Sequence, residues 1–258
     1  MYITEYQDKK AIVSYSKDLT RMNKILFLLA FLIGYTVQAI TGFAGNLFVM
    51  PVGVNTIGLT SSVSVLNAMG VFACGLLALT NIQYVNWREF LKMASVMLVF
   101  MLIGIWLDTI LPLDFLIKIY ALIIIYVGAK NFFFPGGKNL PSAILFLVLA
   151  LAGLIQGMFV SGGAFLVIYA TQRLKDKQEF RITISLVWTV LNCVYAIIAF
   201  QAGHFTGDVW QLVLICVPIA VLATFVGNYI GKRISQELFL RIVFCLLMFM
   251  GAALFITG

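Results

Sequence analysis

Apolar runs of about twenty residues, separated by short polar turns, fill the chain from residue 24 to its end. A hydrocarbon core about 30 Å thick is spanned by about 20 helical residues, so each run predicts a membrane-crossing helix. About eight such segments can be counted, at 24–50, 60–80, 90–107, 112–134, 141–170, 182–201, 209–231 and 238–257. Membrane strands would show instead as weaker alternating segments, so the expected fold is all-α and integral to the membrane. Two segments are anomalous. Residues 141–170 would make a helix of roughly 45 Å, too long for one straight crossing, and Ser161-Gly162-Gly163 interrupts it. The first segment holds Gly42-Phe43-Ala44-Gly45 followed by Pro51. A broken or re-entrant element is expected at each glycine-rich motif, because irregular backbone survives at membrane depth only where protein or a cavity surrounds it.

The order of elements repeats. Phe115-Leu116-Ile117-Lys118-Ile119-Tyr120 through Gly128-Ala129 returns about 123 residues later as Leu238-Phe239-Leu240-Arg241-Ile242-Val243 through Gly251-Ala252. Gly104 and Gly227 share that offset, and each half opens with a Gln ahead of its glycine break, Gln38 and Gln156. The division this predicts is a polar or amphipathic N-terminal segment at 1–23, a first four-segment repeat at 24–134, a linker at 135–140 and a second repeat at 141–258. Paired breaks in corresponding positions of an apolar duplicated chain point to a transporter with its substrate between the halves.

Composition agrees. Hydrophobic residues make up 62% of the chain and charged residues 10%, against about 25% charged in soluble domains. The net charge of +7 does not signal nucleic acid, since Lys and Arg sit at helix ends and loops as the positive-inside rule expects. If every segment crosses once, these residues divide almost evenly between the two sides. If the fifth segment enters and returns, the N-terminal stretch, Arg88, Lys92, Lys130, Lys138 and the 173–181 and 232–241 loops all lie inside, leaving Lys118 outside. Hairpins in both halves would make the repeats inverted and put the basic N-terminus outside. The expected location is the plasma membrane of a prokaryote, multi-pass, with a cytoplasmic N-terminus.

The candidate chemistry is anion binding. A helix that restarts after a glycine break presents unpaired N–H groups and about half a positive charge. Two such termini are expected to face each other near the midplane. The expected substrate-binding residues are Gln38, Thr41, Gly42, Gly45, Asn46 and Asn67 in the first half and Gln156, Ser161, Gly162, Gly163 and Asn192 in the second. Ser61, Ser62, Ser64, Thr183, Ser185 and Thr189 are expected to bond back to helix carbonyls instead. Cys74, Cys193, Cys216 and Cys245 lie in apolar helices and read as small hydrophobes, and with one histidine, His204, no metal site is expected. No cofactor is expected. No nucleophile–base pair appears, so the chain is not expected to be an enzyme. No Arg is expected inside a membrane segment, so the anion is not expected to be clamped tightly.

The break from Gly42 to Gly45 with Pro51 after it, its echo at Gly162-Gly163, and Gly227-Asn228-Tyr229-Ile230-Gly231-Lys232-Arg233-Ile234 followed by Arg241 and Gly251 resemble the sulfite exporter TauE/SafE (TSUP) family. The resemblance covers about residues 24–257 and implies a permease built by duplicating a four-segment unit, with sulfite, thiosulfate or organosulfonate anions as substrates. The chain departs from the pattern at Asn46, where a third clustered Gly is usual, and at Tyr169, where a Pro is, which bears on the particular substrate. Lipid bilayer and a small sulfur oxyanion are the partners implied, and a homodimer is left open. An anion leaving a cell that is negative inside gains about 2.3 kcal/mol per charge per 100 mV, which favours an exporter or facilitator. A proton- or sodium-coupled importer and a non-transporting scaffold are the alternatives.

Overall fold

The computed structural model describes residues 2–108, 122, 125–126, 128–129, 132–133, 140–159 and 162–257. All regular structure among them is helical. α1 runs over Tyr2–Thr41, α2 over Gly45–Ile57, α3 over Leu59–Leu79, α4 over Trp87–Asp108, α5 over Ser142–Phe159, α6 over Gly163–Arg173, α7 over Lys177–Gln201, α8 over Gly207–Arg233 and α9 over Gln236–Thr257. Met22–Thr41, Thr60–Leu79, Trp87–Leu107, Lys177–Gln201 and Gly207–Arg233 are each long and apolar enough to cross a membrane. The segment expected at 112–134 lies mostly outside the described residues.

The first and fifth expected segments are each split by their glycine motif. α1 stops where Gly42 takes φ +90°, a conformation that favours glycine after a helix. The Gly42 N–H still donates to Gln38 O at 2.6 Å, closing the last turn. α2 then runs back along α1, with Gly45 against Gln38, Val49 against Gly34 and Gly53 against Phe27. The second break turns the chain in the same way. Gly162 lies against Ala152 and Gln156, and at the far end of α6 Arg173 Nη2 donates to Ser142 Oγ at 2.9 Å. Both pairs, α1–α2 and α5–α6, are therefore hairpins that return towards the side they entered from. α6 has 11 residues, about 16 Å of helix, which is too short to cross alone.

Around the hairpins the remaining helices pack in matched ways. α3 and α7 cross antiparallel, with Gly70 against Asn192 and Gly75 against Thr189. α4 runs parallel to α5, with Met97 and Phe100 at Gly153 and Met101 and Ile105 at Gly157. α8 lies on α1 with Gly227 against Thr36 and Ala39. Gly104 and Gly227, the pair that shares one offset, thus each bring a helix backbone onto the arm that precedes a break, because small residues let membrane helices approach closely. Two large apolar cores result, with a smaller cluster of Ala39, Leu77, Ala78, Val85 and Ile182 beside them. One gathers Met93, Met97 and Met101 with Leu149, Leu166 and Leu191, and the other joins Phe27, Phe31 and Tyr35 to Met69, Cys216 and Ala220. The outside is apolar as well, with Leu29, Ile33, Leu91, Leu102, Leu214 and Phe225 exposed, as a lipid-facing surface requires.

One end of the bundle collects polar connections. Asp176 caps α7, its carboxylate accepting from the N–H groups of Gln178 at 2.8 Å and Glu179 at 3.0 Å. Gln236 accepts from Lys177 N–H at 2.9 Å and donates to Lys175 O at 2.8 Å, stitching the loop before α7 to the loop before α9. Lys232 and Arg233 close the last turn of α8, where positive charge suits the helix dipole. The Asn86 N–H donates to Thr183 Oγ1 at 3.0 Å, joining the start of α4 to the same end.

Candidate functional site

A helix that stops inside a membrane protein leaves its last carbonyls without partners, and each break must supply them. At the first break Thr41 Oγ1 donates to Val37 O at 2.8 Å and accepts from the N–H groups of Phe43 at 3.5 Å and Ala44 at 3.4 Å. The Ala39 carbonyl accepts from Arg181 Nη2 of α7. Gly42 lies against the Arg181 backbone, where an added Cβ would come within 2.6 Å of the carbonyl oxygen. Gln38 turns its amide to Cys74 Sγ and packs on Gly45.

At the second break Gln156 Oε1 accepts from Gly162 N–H at 2.9 Å. The end of α5 is met by Tyr195 of α7, whose hydroxyl bonds Gln156 O and, at 3.1 Å, Gly157 O. α7 therefore holds both breaks, one near each of its ends. Arg181 and Tyr195 stand about 21 Å apart along the helix axis. The two breaks lie towards opposite ends of α7 rather than face to face, because the first arm of each hairpin runs through most of the bundle before it turns.

Arg181 is the buried charge that the sequence reading misses. From sequence it counts among the charges of the 173–181 loop; in the structure it is fully buried inside α7. Its Nη1 donates to Gln178 Oε1 at 2.6 Å and its Nη2 also reaches Asn228 Oδ1 at 3.3 Å, while Nε is buried without a partner. Among the described residues no carboxylate pairs with it; the ion pairs are Lys92–Glu89 and Arg241–Glu237. Burying an unpaired ion costs several kcal/mol, and a cation at a helix C-terminus recovers at most about 2 kcal/mol. Tyr195 serves the same kind of carbonyl at the other break with a neutral hydroxyl. Capping alone therefore does not account for the charge.

The remaining expected residues fall into two groups. Gln38, Thr41, Gln156, Gly42, Gly45, Gly162 and Gly163 build the breaks themselves, and the Thr41 and Gln156 oxygens are engaged in holding them. Asn46, in the first turn of α2, has a buried Oδ1 without a partner. Asn67 and Asn192 are buried, at 2% and 5% exposure, and come close at the α3–α7 crossing, where Asn192 packs on Gly70 one turn beyond Asn67. Among the described residues no side-chain hydrogen bond joins either amide to another residue. Ser161 lies outside the described residues. Ser62, Ser64, Ser185 and Thr189 bond back to carbonyls four residues earlier, whereas Thr183 instead accepts from Asn86. Glu89, buried at the start of α4, accepts from Tyr169 Oη of α6 and from Lys92 Nζ, each at 2.7 Å.

A helical bundle with an apolar exterior and two hairpins broken at glycine motifs defines a multi-pass membrane transporter of the permease type. The chain belongs to the sulfite exporter TauE/SafE family, whose model matches residues 26–254. It is similar to a probable inner membrane transporter protein, TsaS, of Comamonas testosteroni, with 25% identity over 177 residues, 67% of this chain and 74% of that protein. It is also similar to a probable sulfite/organosulfonate exporter, TauE, of Cupriavidus necator, with 26% identity over 236 residues, 86% of this chain and 89% of that protein. No solved structure matches the chain.

Proposed function

We propose that the protein carries a small sulfur-containing oxyanion, sulfite or an organosulfonate, out of a prokaryotic cell. The family and the name of the Cupriavidus relative support the substrate class. The observation that carries the reading is the pair of re-entrant hairpins, each ended by a buried break and both tied to α7. The halves 24–134 and 141–258, joined by the 135–140 linker, are read as inverted repeats. The antiparallel crossing of α3 with α7 and the parallel runs of α4 with α5 and α1 with α8 support this, since inversion turns equivalent helices end for end. The basic end formed by the 173–181 and 232–241 loops is taken as cytoplasmic. The N-terminal stretch then lies outside, so the cytoplasmic N-terminus expected from sequence is given up in favour of the larger basic cluster. That cluster raises the local concentration of anions, and the membrane potential drives them outward without a coupling ion. The substrate passes between the hairpins, with Asn46, Asn67 and Asn192 as polar contacts along its way.

Flux in proteoliposomes tests this, with sulfite, thiosulfate, sulfoacetate and sulfate under an imposed potential of either sign. Saturable movement of a sulfur oxyanion that follows the potential is expected; movement of none would leave the scaffold reading. Asn46→Ala and Ser161→Ala are expected to lower flux several-fold at unchanged expression, and wild-type flux in both would remove the breaks from the substrate path. A proton-coupled importer is favoured by one observation, the buried Glu89 bonded to Tyr169 of re-entrant α6, since buried acids in membranes mark proton pathways. Flux that requires a pH gradient and is lost in Glu89→Gln would establish it.

A further inference from the structure

Arg181, Trp188, Asn192 and Tyr195 recur at intervals of seven, four and three, which sets them on one face of α7. That face lies along the seam between the halves. Arg181 reaches α1, Asn192 packs on α3, and Tyr195 reaches the end of α5. Two of the four carry a buried donor atom without an acceptor. These are Arg181 Nε and Trp188 Nε1, and the Asn192 amide follows one turn further along the same face, packed on Gly70. Arg181 is fully buried, Asn192 is 5% exposed and Trp188 is 8% exposed.

Buried polar groups are almost always paired, and an orphan calls for a specific explanation. One stranded indole N–H would be a packing accident. Two stranded donors on one helix face, between two breaks, share a single deficit: each lacks an acceptor. Arginine and indole nitrogens can only donate, and an oxyanion can only accept. The spacing is that of stepping positions, about 10 Å from Arg181 to Trp188 and about 6 Å from Trp188 to Asn192. Arg181 also stands at the basic end of the bundle, near exposed Lys175, Lys232 and Arg233 and half-buried Lys177, so an anion gathered there meets it first.

We propose that this face of α7 is the substrate track: Arg181 recognises the anion's charge at the basic end, and the Trp188 and Asn192 N–H groups accept it in turn along the seam. The proposal rests on the sulfur-oxyanion reading above. It adds Arg181 and Trp188 to Asn192 as the residues that select an anion, all three outside the glycine motifs. Occupied by an oxyanion, Arg181 completes its donors by turning Nε to the ligand; vacated, its Nη2 stays on Ala39 O and holds the first hairpin against α7.

Trp188→Phe is the decisive variant, because it keeps the ring's bulk and removes only an N–H that has no protein partner. A packing role predicts unchanged or higher stability and unchanged transport. The track predicts unchanged stability with an apparent KM for sulfite raised about 10-fold, the worth of one donor to a charged acceptor. Arg181→Gln is expected to raise KM further and to abolish thermal stabilisation by sulfite, with Arg181→Lys recovering part of both. If Arg181→Gln does not assemble, Trp188→Phe decides alone. Wild-type KM in Trp188→Phe overturns the track while saturable wild-type sulfite flux leaves the functional reading standing. Absence of sulfur-oxyanion flux in the wild type overturns the functional reading itself.

Discussion

The two breaks answer one physical need in different ways. Each ends a helix within the bundle and leaves carbonyls to satisfy. The second is closed with neutral groups: Gln156 accepts from Gly162 N–H, and the Tyr195 hydroxyl covers Gln156 O and Gly157 O. The first uses a threonine hydroxyl, a glycine at positive φ and a buried guanidinium. The difference teaches that charge is not required to end a helix in this bundle. Where charge is present, at the basic end, the proposed anion track gives it another task, and the unpartnered Trp188 N–H further along α7 is assigned to the same task.

The largest expected effect separates the breaks by backbone. Gly42→Ala would force a side chain into φ +90° and against the Arg181 backbone, a loss of about 2–4 kcal/mol, read as a fall in folded yield and melting temperature. Gly203→Ala, at φ 73° with open space around it, controls for strain alone at about 1 kcal/mol. Equal losses at the two positions would mean that the contact with α7 is not tight. Next, Tyr195→Phe leaves carbonyls at the second break with fewer partners and is expected to cost about 1–3 kcal/mol in thermal unfolding in detergent. The smallest effect is Thr41→Ala, about 1 kcal/mol or less, because its acceptor contacts to Phe43 and Ala44 are long. A larger loss at Thr41 than at Tyr195 would break the comparison, since it would make the first break depend on its own hydroxyl rather than on α7.

The membrane class, the breaks and the helix hairpins were legible because glycine clusters interrupt apolar runs that are too long for one crossing. Gln38 and Gln156 were legible as a matched pair, but their tasks were not. One amide meets a thiol and the other meets a backbone N–H, and which groups a turn leaves needy depends on its dihedral angles. Arg181 was hidden by position: a basic residue one turn into a helix reads as a loop charge until the neighbours that bury it are known. A signal was present in its spacing to Asn192, which places both on one face. Tyr169, conspicuous as the residue in place of a proline, proves to be the hydrogen-bond partner of Glu89.

The glycine contacts between α4 and α5 and between α8 and α1 have a mechanical side. At Gly104, Gly153, Gly157 and Gly227 backbone lies on backbone or on a Cβ, so at these points no ridge of side chains fills an opposing groove. Interlocked ridges resist sliding, and a smooth seam does not. Each hairpin's long arm therefore rests on a seam that puts little in the way of shear, and the resistance at those four points comes from residues that have no side chain at all.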